Sequence, residues 1–142
     1  IFTTIEDFRK KISNDEFLEY ADVFNNKYGT LISSTKLLSD KGYDVLFDID
    51  WQGTKQLSKF KNLNLIKIYL ITENKEELKK RLINRNQNTA DEIEKRFKSF
   101  DKDVQHWNDY DYIIINKNLE VCFKQIEKII SEKKISPLHI IQ

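Results

Sequence analysis

Methionine is absent from the 142-residue chain, and the first residue is Ile1. Because translation starts at methionine, the sequence reads as the C-terminal part of a longer polypeptide. Glycine is scarce, with only Gly29, Gly42 and Gly53. No G-x-x-x-x-G-K-S/T loop, whose backbone N–H groups cradle phosphates, can be written with them. The single cysteine, Cys122, excludes an internal disulfide and fits a reducing cytoplasm. Charge of one sign is lacking too. Lys plus Arg number 24 and Asp plus Glu 23, so a net charge of +1 provides no global pull toward nucleic acid or a membrane surface. No apolar run approaches the roughly 18 residues of a membrane-crossing helix. The length suffices for a domain with its own core.

Arginine is rare but clustered. Four of the 24 basic residues are Arg, and three of those four, Arg81, Arg85 and Arg96, lie within sixteen positions. A sequence that prefers Lys elsewhere uses Arg where planar, bidentate binding of phosphate or carboxylate is needed. Arg81 and Arg85 are spaced i, i+4 and share a helix face. The polar break "NQNT" separates them from Arg96, as a hinge between two arginine-bearing helices would. The plainer alternative is a solvated face paired with Glu76, Glu77 and Glu94.

Periodicity and punctuation predict the elements. "IFTT" reads as a short strand running into a helix capped by Thr4, with Ile5, Phe8 and Ile12 as its apolar stripe. Phe17–Phe24 reads as an aromatic strand, Asn25-Asn26 as a turn, and Ser33 or Ser34 as the cap of a helix closed by Lys41-Gly42. Then strands "DVLFDID" (44–50), "LIKIYLI" (65–71) and "YIIIN" (112–116) alternate with helices. These start near Gln52, after Asn74, at a Thr89/Glu92 capping box, and after Asn118 with Phe123, Ile126, Ile129 and Ile130 inward. Near-continuous apolar strands between helices predict an α/β fold with a parallel sheet covered on both faces. Such sheets bind ligands beyond the C-terminal strand ends. Asp48 and Asp50, Thr72-Glu73, and Asn116 occupy those positions. Asp48 and Asp50 share one strand face and suit either a metal–phosphate group or the capping of the next helix.

"EFLEYADVFNNKYGT" (16–30) combines acids, aromatics and hydroxyls. Guanine presents adjacent N1–H and 2-amino donors that one carboxylate can accept together, while adenine presents an acceptor at N1 and would be rejected. Glu19 with the Thr30 hydroxyl on O6 forms such a pair, with Tyr28 in reach of a phosphate. An ordinary hairpin with its acids in water is the alternative. Cys122 reads as a small core residue, and His106 and His139 lack partners at metal-ligand spacing.

Four segments in register, "EFLEYADVFNNKYGT", "GYDVLFDIDWQG", "EELKKRLINRNQNTADEIEKRF" and "DYDYIIINKNLE", resemble guanylate kinases, the ATP:GMP phosphotransferases of the P-loop kinase class. The resemblance spans Glu16 to Glu120. It implies a P-loop kinase-like three-layer α/β fold with a GMP-binding insertion and a helical lid, N-terminally incomplete. Residues 1–33 would belong to the GMP-binding subdomain, 34–82 and 108–132 to the nucleotide-binding core, 83–107 to the lid and 133–142 to a tail. It also implies roles: Glu19 and Thr30 reading guanine, Tyr28 and Gly29 beside the GMP phosphate, and Asp48 on guanine. Asp50 would lie near Mg²⁺–phosphate, Arg81, Arg85 and Arg96 would act as lid arginines on the transferring phosphate, and Asn116 would sit by adenine. GMP, ATP and Mg²⁺ follow as partners, with no nucleic acid and no membrane. The family's P-loop is missing from this stretch, so the chain alone is expected to be inactive. "RNQNT" stands where the family usually has Arg-Gly-x-Thr, Lys27 replaces a frequent tyrosine, and Asn25 a frequent glycine. The rival reading is a non-catalytic guanylate-kinase-like module that binds phosphopeptides.

Overall fold

The computed structural model describes residues 2–23, 26–84 and 89–133. The chain divides between Asn62 and Leu63 into two compact units.

The first unit opens with helix α1 (Ile5–Ser13). Thr4 caps it by accepting from the Asp7 N–H, Glu6 and Asp7 lie at its positive end, and Lys10 and Lys11 at its negative end. Of the predicted stripe only Phe8 is buried, with its ring 4.6 Å from that of Phe17, while Ile5 is exposed. Asp15, in the left-handed region at φ 52°, turns the chain into strand β1 (Phe17–Val23). β1 pairs antiparallel with β2 (Asn26–Leu31), with Glu19 opposite Thr30 and Ala21 opposite Tyr28. A bulge between Phe17 and Glu19 shifts the register. Helix α2 (Ile32–Ser39) follows without a break, and α3 spans Trp51–Leu57.

Four local expectations change in this unit. Phe2–Thr4 form no strand; Ile1 lies outside the described residues. Ser33 and Ser34 lie inside α2 and do not cap it: the position before the helix is Leu31, and the Ile32 N–H donates to the Glu16 carbonyl, continuing the hairpin's hydrogen bonding. Its far end is as expected. Gly42 takes φ 82°, which a side chain would strain, and its N–H donates to Ser39. Asp44–Asp50 is not in a strand, because no described strand pairs with it, and a strand exists only through its ladder. Of the predicted turn, Asn26 begins β2, and Phe24 and Asn25 lie outside the described residues.

The second unit holds β3 (Ile68–Ile71), α4 (Lys75–Asn84), α5 (Ala90–Val104), a 3₁₀ turn (Trp107–Asp109), β4 (Tyr112–Ile115) and α6 (Leu119–Glu132). β3 and β4 are parallel, with Ile68 level with Tyr112 and Ile71 with Ile115. β3 is shorter than the apolar run 65–71. Pairing starts at Lys67, whose carbonyl accepts from Asp111 and Tyr112 and whose N–H donates to the Asp111 carboxylate. α6 packs on β4 and buries Cys122, and Ile114 is also buried. Phe123, predicted inward, is half-exposed, as are Ile113 and Ile115, so the described two-stranded sheet is covered on part of its surface. Asn74, Thr89 and Asn118 cap α4, α5 and α6 as predicted. α4 and α5 are joined by the Lys75–Asp101 ion pair and by the ammonium groups of Lys75 and Lys79 over the Phe97 ring, at 4.6 and 5.3 Å. Tyr69 packs against Tyr110 with ring centroids 4.8 Å apart and planes tilted by 48°; burial, reinforced by the Asp103 charge, raises its hydroxyl pKa.

Candidate active site

In the first unit, strand alternation puts Glu19, Ala21, Tyr28 and Thr30 on one face of the hairpin. Glu19 is only 3% exposed. Thr30 Oγ1 donates to Glu19 Oε1 over 2.6 Å, and Thr30 is the carboxylate's only hydrogen-bond partner among the described residues. A buried carboxylate costs folding energy, and an unsaturated one has acceptor capacity left over. The Thr30 hydroxyl has one proton and in this structure gives it to Glu19. Tyr28 is exposed, nearer the turn than Thr30 on this face. Gly29 sits opposite Tyr20, where a Cβ would come within 2.8 Å of the Phe17 ring and 3.1 Å of the Glu19 carbonyl oxygen.

The flanking acids are occupied on the surface. Lys11 pairs with Glu16 at 3.1 Å, and Lys27 pairs with Asp22. Hydrogen bonds from Asn14, then Lys11, hold the Glu16 carboxyl below its ordinary pKa. Asp48 is exposed. Asp50 is the N-cap of α3: Oδ1 accepts from the backbone N–H groups of Gln52 (2.9 Å) and Gly53 (3.1 Å), and Oδ2 from the Gln52 side chain (2.8 Å).

In the second unit, Thr72, Leu78, Arg81, Leu82, Asn84 and Arg96 line one open cleft of about 480 Å³ just past the C-terminal end of β3. Arg81 is fixed there. Its Nε donates to Glu77 (2.9 Å) and its Nη2 to the carbonyl of Asn116 (2.8 Å), which follows β4. Arg96 reaches the same cleft from the second turn of α5. Arg85 lies outside the described residues. Thr72 was visible in the sequence as a polar strand end. Asn84 was missed, although its i+3 spacing from Arg81 puts both on one helix face. Lys117 pairs with Glu73 across the same strand ends. Two arginines with polar neighbours beyond a parallel strand suit a phosphate. Among the described residues no group of three or more His, Cys, Asp or Glu could hold a metal ion, and no helix is long and apolar enough to cross a membrane.

Residues 1–133 match the guanylate kinase family model. The chain belongs to the guanylate kinase family. It is 37% identical over 134 residues to the guanylate kinase of Zymomonas mobilis, covering 94% of this chain and 62% of that protein. To the guanylate kinase of Bartonella henselae it is 39% identical over 128 residues, covering 90% and 58%. The crystal structure of guanylate kinase from Anaplasma phagocytophilum superposes with a TM-score of 0.76 at 28% identity, covering 95% of this chain and 65% of that one. The chain thus spans about three-fifths of the length of the curated relatives it matches. The likeness to a guanylate kinase structure agrees with the α/β, P-loop kinase-like fold expected from the sequence.

Proposed function

We propose that the protein carrying this chain is a guanylate kinase of purine nucleotide metabolism that makes GDP and ADP from GMP and ATP. An oxygen of the GMP phosphate attacks the γ-phosphorus of ATP, the bond to the β-phosphate oxygen breaks, and ADP leaves with the electron pair. One observation carries the reading: a buried glutamate, Glu19, whose carboxylate has a single partner among the described residues, the Thr30 hydroxyl. Such a group accepts the paired N1–H and 2-amino donors of guanine and meets a lone pair in adenine. In this reading Asp48 also contacts guanine, Tyr28 and Gly29 flank the GMP phosphate, and Asn116 flanks adenine.

Arg81, Arg85 and Arg96 act as cations on the phosphoryl group in flight. Phosphoryl transfer demands positioning and charge stabilisation more than covalent chemistry. The cleft containing Arg81 and Arg96 supports this role. Mg²⁺ would arrive on the ATP phosphates, where it neutralises charge. The described carboxylates offer no cage for it, since Asp50 Oδ1 caps α3 and its Oδ2 accepts from the Gln52 side chain, and no step here runs through it. The corresponding regions are residues 1–33 for part of the GMP subdomain, 34–82 and 108–132 for part of the core, 83–107 for the lid and 133–142 for a tail. The proposed setting is the cytoplasm, where the buried Cys122 thiol stays reduced.

The test is a coupled ADP-release assay on the full-length protein, with Arg96→Lys beside the wild type. GMP-dependent ADP release is expected, and the lysine variant should lose about tenfold or more in kcat, because an ammonium cannot replace a bidentate fork. ADP release independent of GMP would contradict the function, and wild-type kcat in the variant would contradict the role of Arg96.

A further inference from the structure

Gly53 is the one glycine of three that lies inside a helix, the seven-residue α3. Glycine there destabilises the helix relative to alanine, and in so glycine-poor a sequence the choice asks for a reason. Its φ is not in the left-handed region, so backbone conformation supplies none. Space does. A Cβ built on Gly53 would stand 2.7 Å from Glu19 Oε2, closer than such atoms approach, and 3.1 Å from the Cβ of Ile49. The carboxylate therefore rests against bare backbone, with Oε1 held by Thr30 on the other side at 2.6 Å.

The neighbouring residues lock the same geometry. One turn after Gly53, the Gln56 side chain joins the edge of β1 as a strand would. The Tyr20 N–H donates to Gln56 Oε1 (3.1 Å), and Gln56 Nε2 donates to the Tyr20 carbonyl (2.6 Å). Asp50 holds the Gly53 N–H at 3.1 Å. The strand that carries Glu19 and the helix that receives it are thus tied backbone to side chain at the adjacent residue.

We propose that Gly53 is a specificity-determining position: its missing side chain is the seat of the Glu19 carboxylate and sets where the acid meets the base. The inference rests on the guanine-reading role proposed for Glu19. Gly53 touches no substrate in this account; it acts by positioning Glu19. With a methyl group added at position 53, the carboxylate must leave its seat, lose the Thr30 bond, or push α3 from β1.

A double-mutant cycle on the full-length protein tests it, using Gly53→Ala, Glu19→Ala and the pair, read by thermal melting without ligand and by calorimetric titration with GMP and AMP. With Glu19 present, Gly53→Ala should lower the melting temperature and weaken GMP binding by about tenfold or more, narrowing the GMP-to-AMP ratio. In the Glu19→Ala background, the same change should alter GMP binding by less than about twofold and leave the melting temperature near its starting value, because no carboxylate is displaced. A Gly53→Ala chain that folds only when Glu19 is also replaced is the same coupling at its limit and supports the proposal. Equal melting losses in both backgrounds would overturn it and leave Gly53 as packing against Ile49. Coupled melting losses in a full-length protein whose GMP-to-AMP ratio is unchanged by Gly53→Ala and by Glu19→Ala would keep the seat but overturn the guanine-reading role, so the two failures are distinguishable.

Discussion

Glu19 is the most demanding residue in the first unit. It holds a carboxylate in a nearly fully buried position with no cation among its described partners. Burying such a group is tolerated only where hydrogen bonds compensate it, and the Thr30 hydroxyl is the compensation seen here. Thr30→Val keeps the shape and removes the donor. It should destabilise the chain by about 1–3 kcal/mol in urea denaturation, and Thr30→Ser should recover most of that. A valine variant as stable as the wild type would mean that the carboxylate has another partner. The pairing itself was legible: an acid and a hydroxyl eleven residues apart across a hairpin face each other once the strands are in register. The direction of the hydroxyl proton was not legible, because it depends on a separation of 2.6 Å that no spacing encodes. Arg81 teaches the same lesson. Its pairing with Glu77, one of the alternatives open in the sequence, follows from i, i+4 spacing, but its bond to the Asn116 carbonyl arises from a tertiary approach 35 residues away.

Helix starts were the most legible elements, because a cap is a local competition for the first N–H groups. Thr4, Asn74, Thr89 and Asn118 all cap where the sequence put them. Ser33 and Ser34 misled, since Ile32 already has its hydrogen bond in the hairpin. Residues 44–50 misled for the opposite reason. Apolar alternation predicts a strand, but the ladder needs a partner that a single segment cannot supply. At Asp50 the capping alternative, open in the sequence, is the one observed. The α5 box makes a prediction at this scale. Glu92 Oε2 accepts from the Thr89 N–H at 2.8 Å, and that bond, then the Thr89 hydroxyl, holds the carboxyl pKa below its ordinary value. A lowered folded pKa means the contribution is complete above the ordinary glutamate range and is lost as pH falls through the lowered value. Helical signal from α5 should therefore weaken on acidification through that window. Thr89→Ala should cost about 1 kcal/mol at neutral pH. Carboxyl ¹³C NMR checks this directly: a Glu92 titration midpoint at or above the ordinary glutamate value would show that the box does not form in solution.

At the scale of the whole molecule, each of the two units has its own polar feature. The first carries a hairpin with a buried acid braced by α3, and the second a parallel strand pair whose C-terminal ends open on an arginine cleft. The family match covers residues 1–133, while the relatives extend well beyond the matched length. The central claim is best tested at the guanine-reading role proposed for Glu19. Calorimetric titration of the full-length protein with GMP and with AMP, repeated for Glu19→Gln, does so. The account predicts binding of GMP, no measurable binding of AMP, and a GMP-to-AMP preference that collapses in the Gln variant, since an amide donates as readily as it accepts. Equal affinity for GMP and AMP in the wild type, or an unchanged preference after Glu19→Gln, would contradict it.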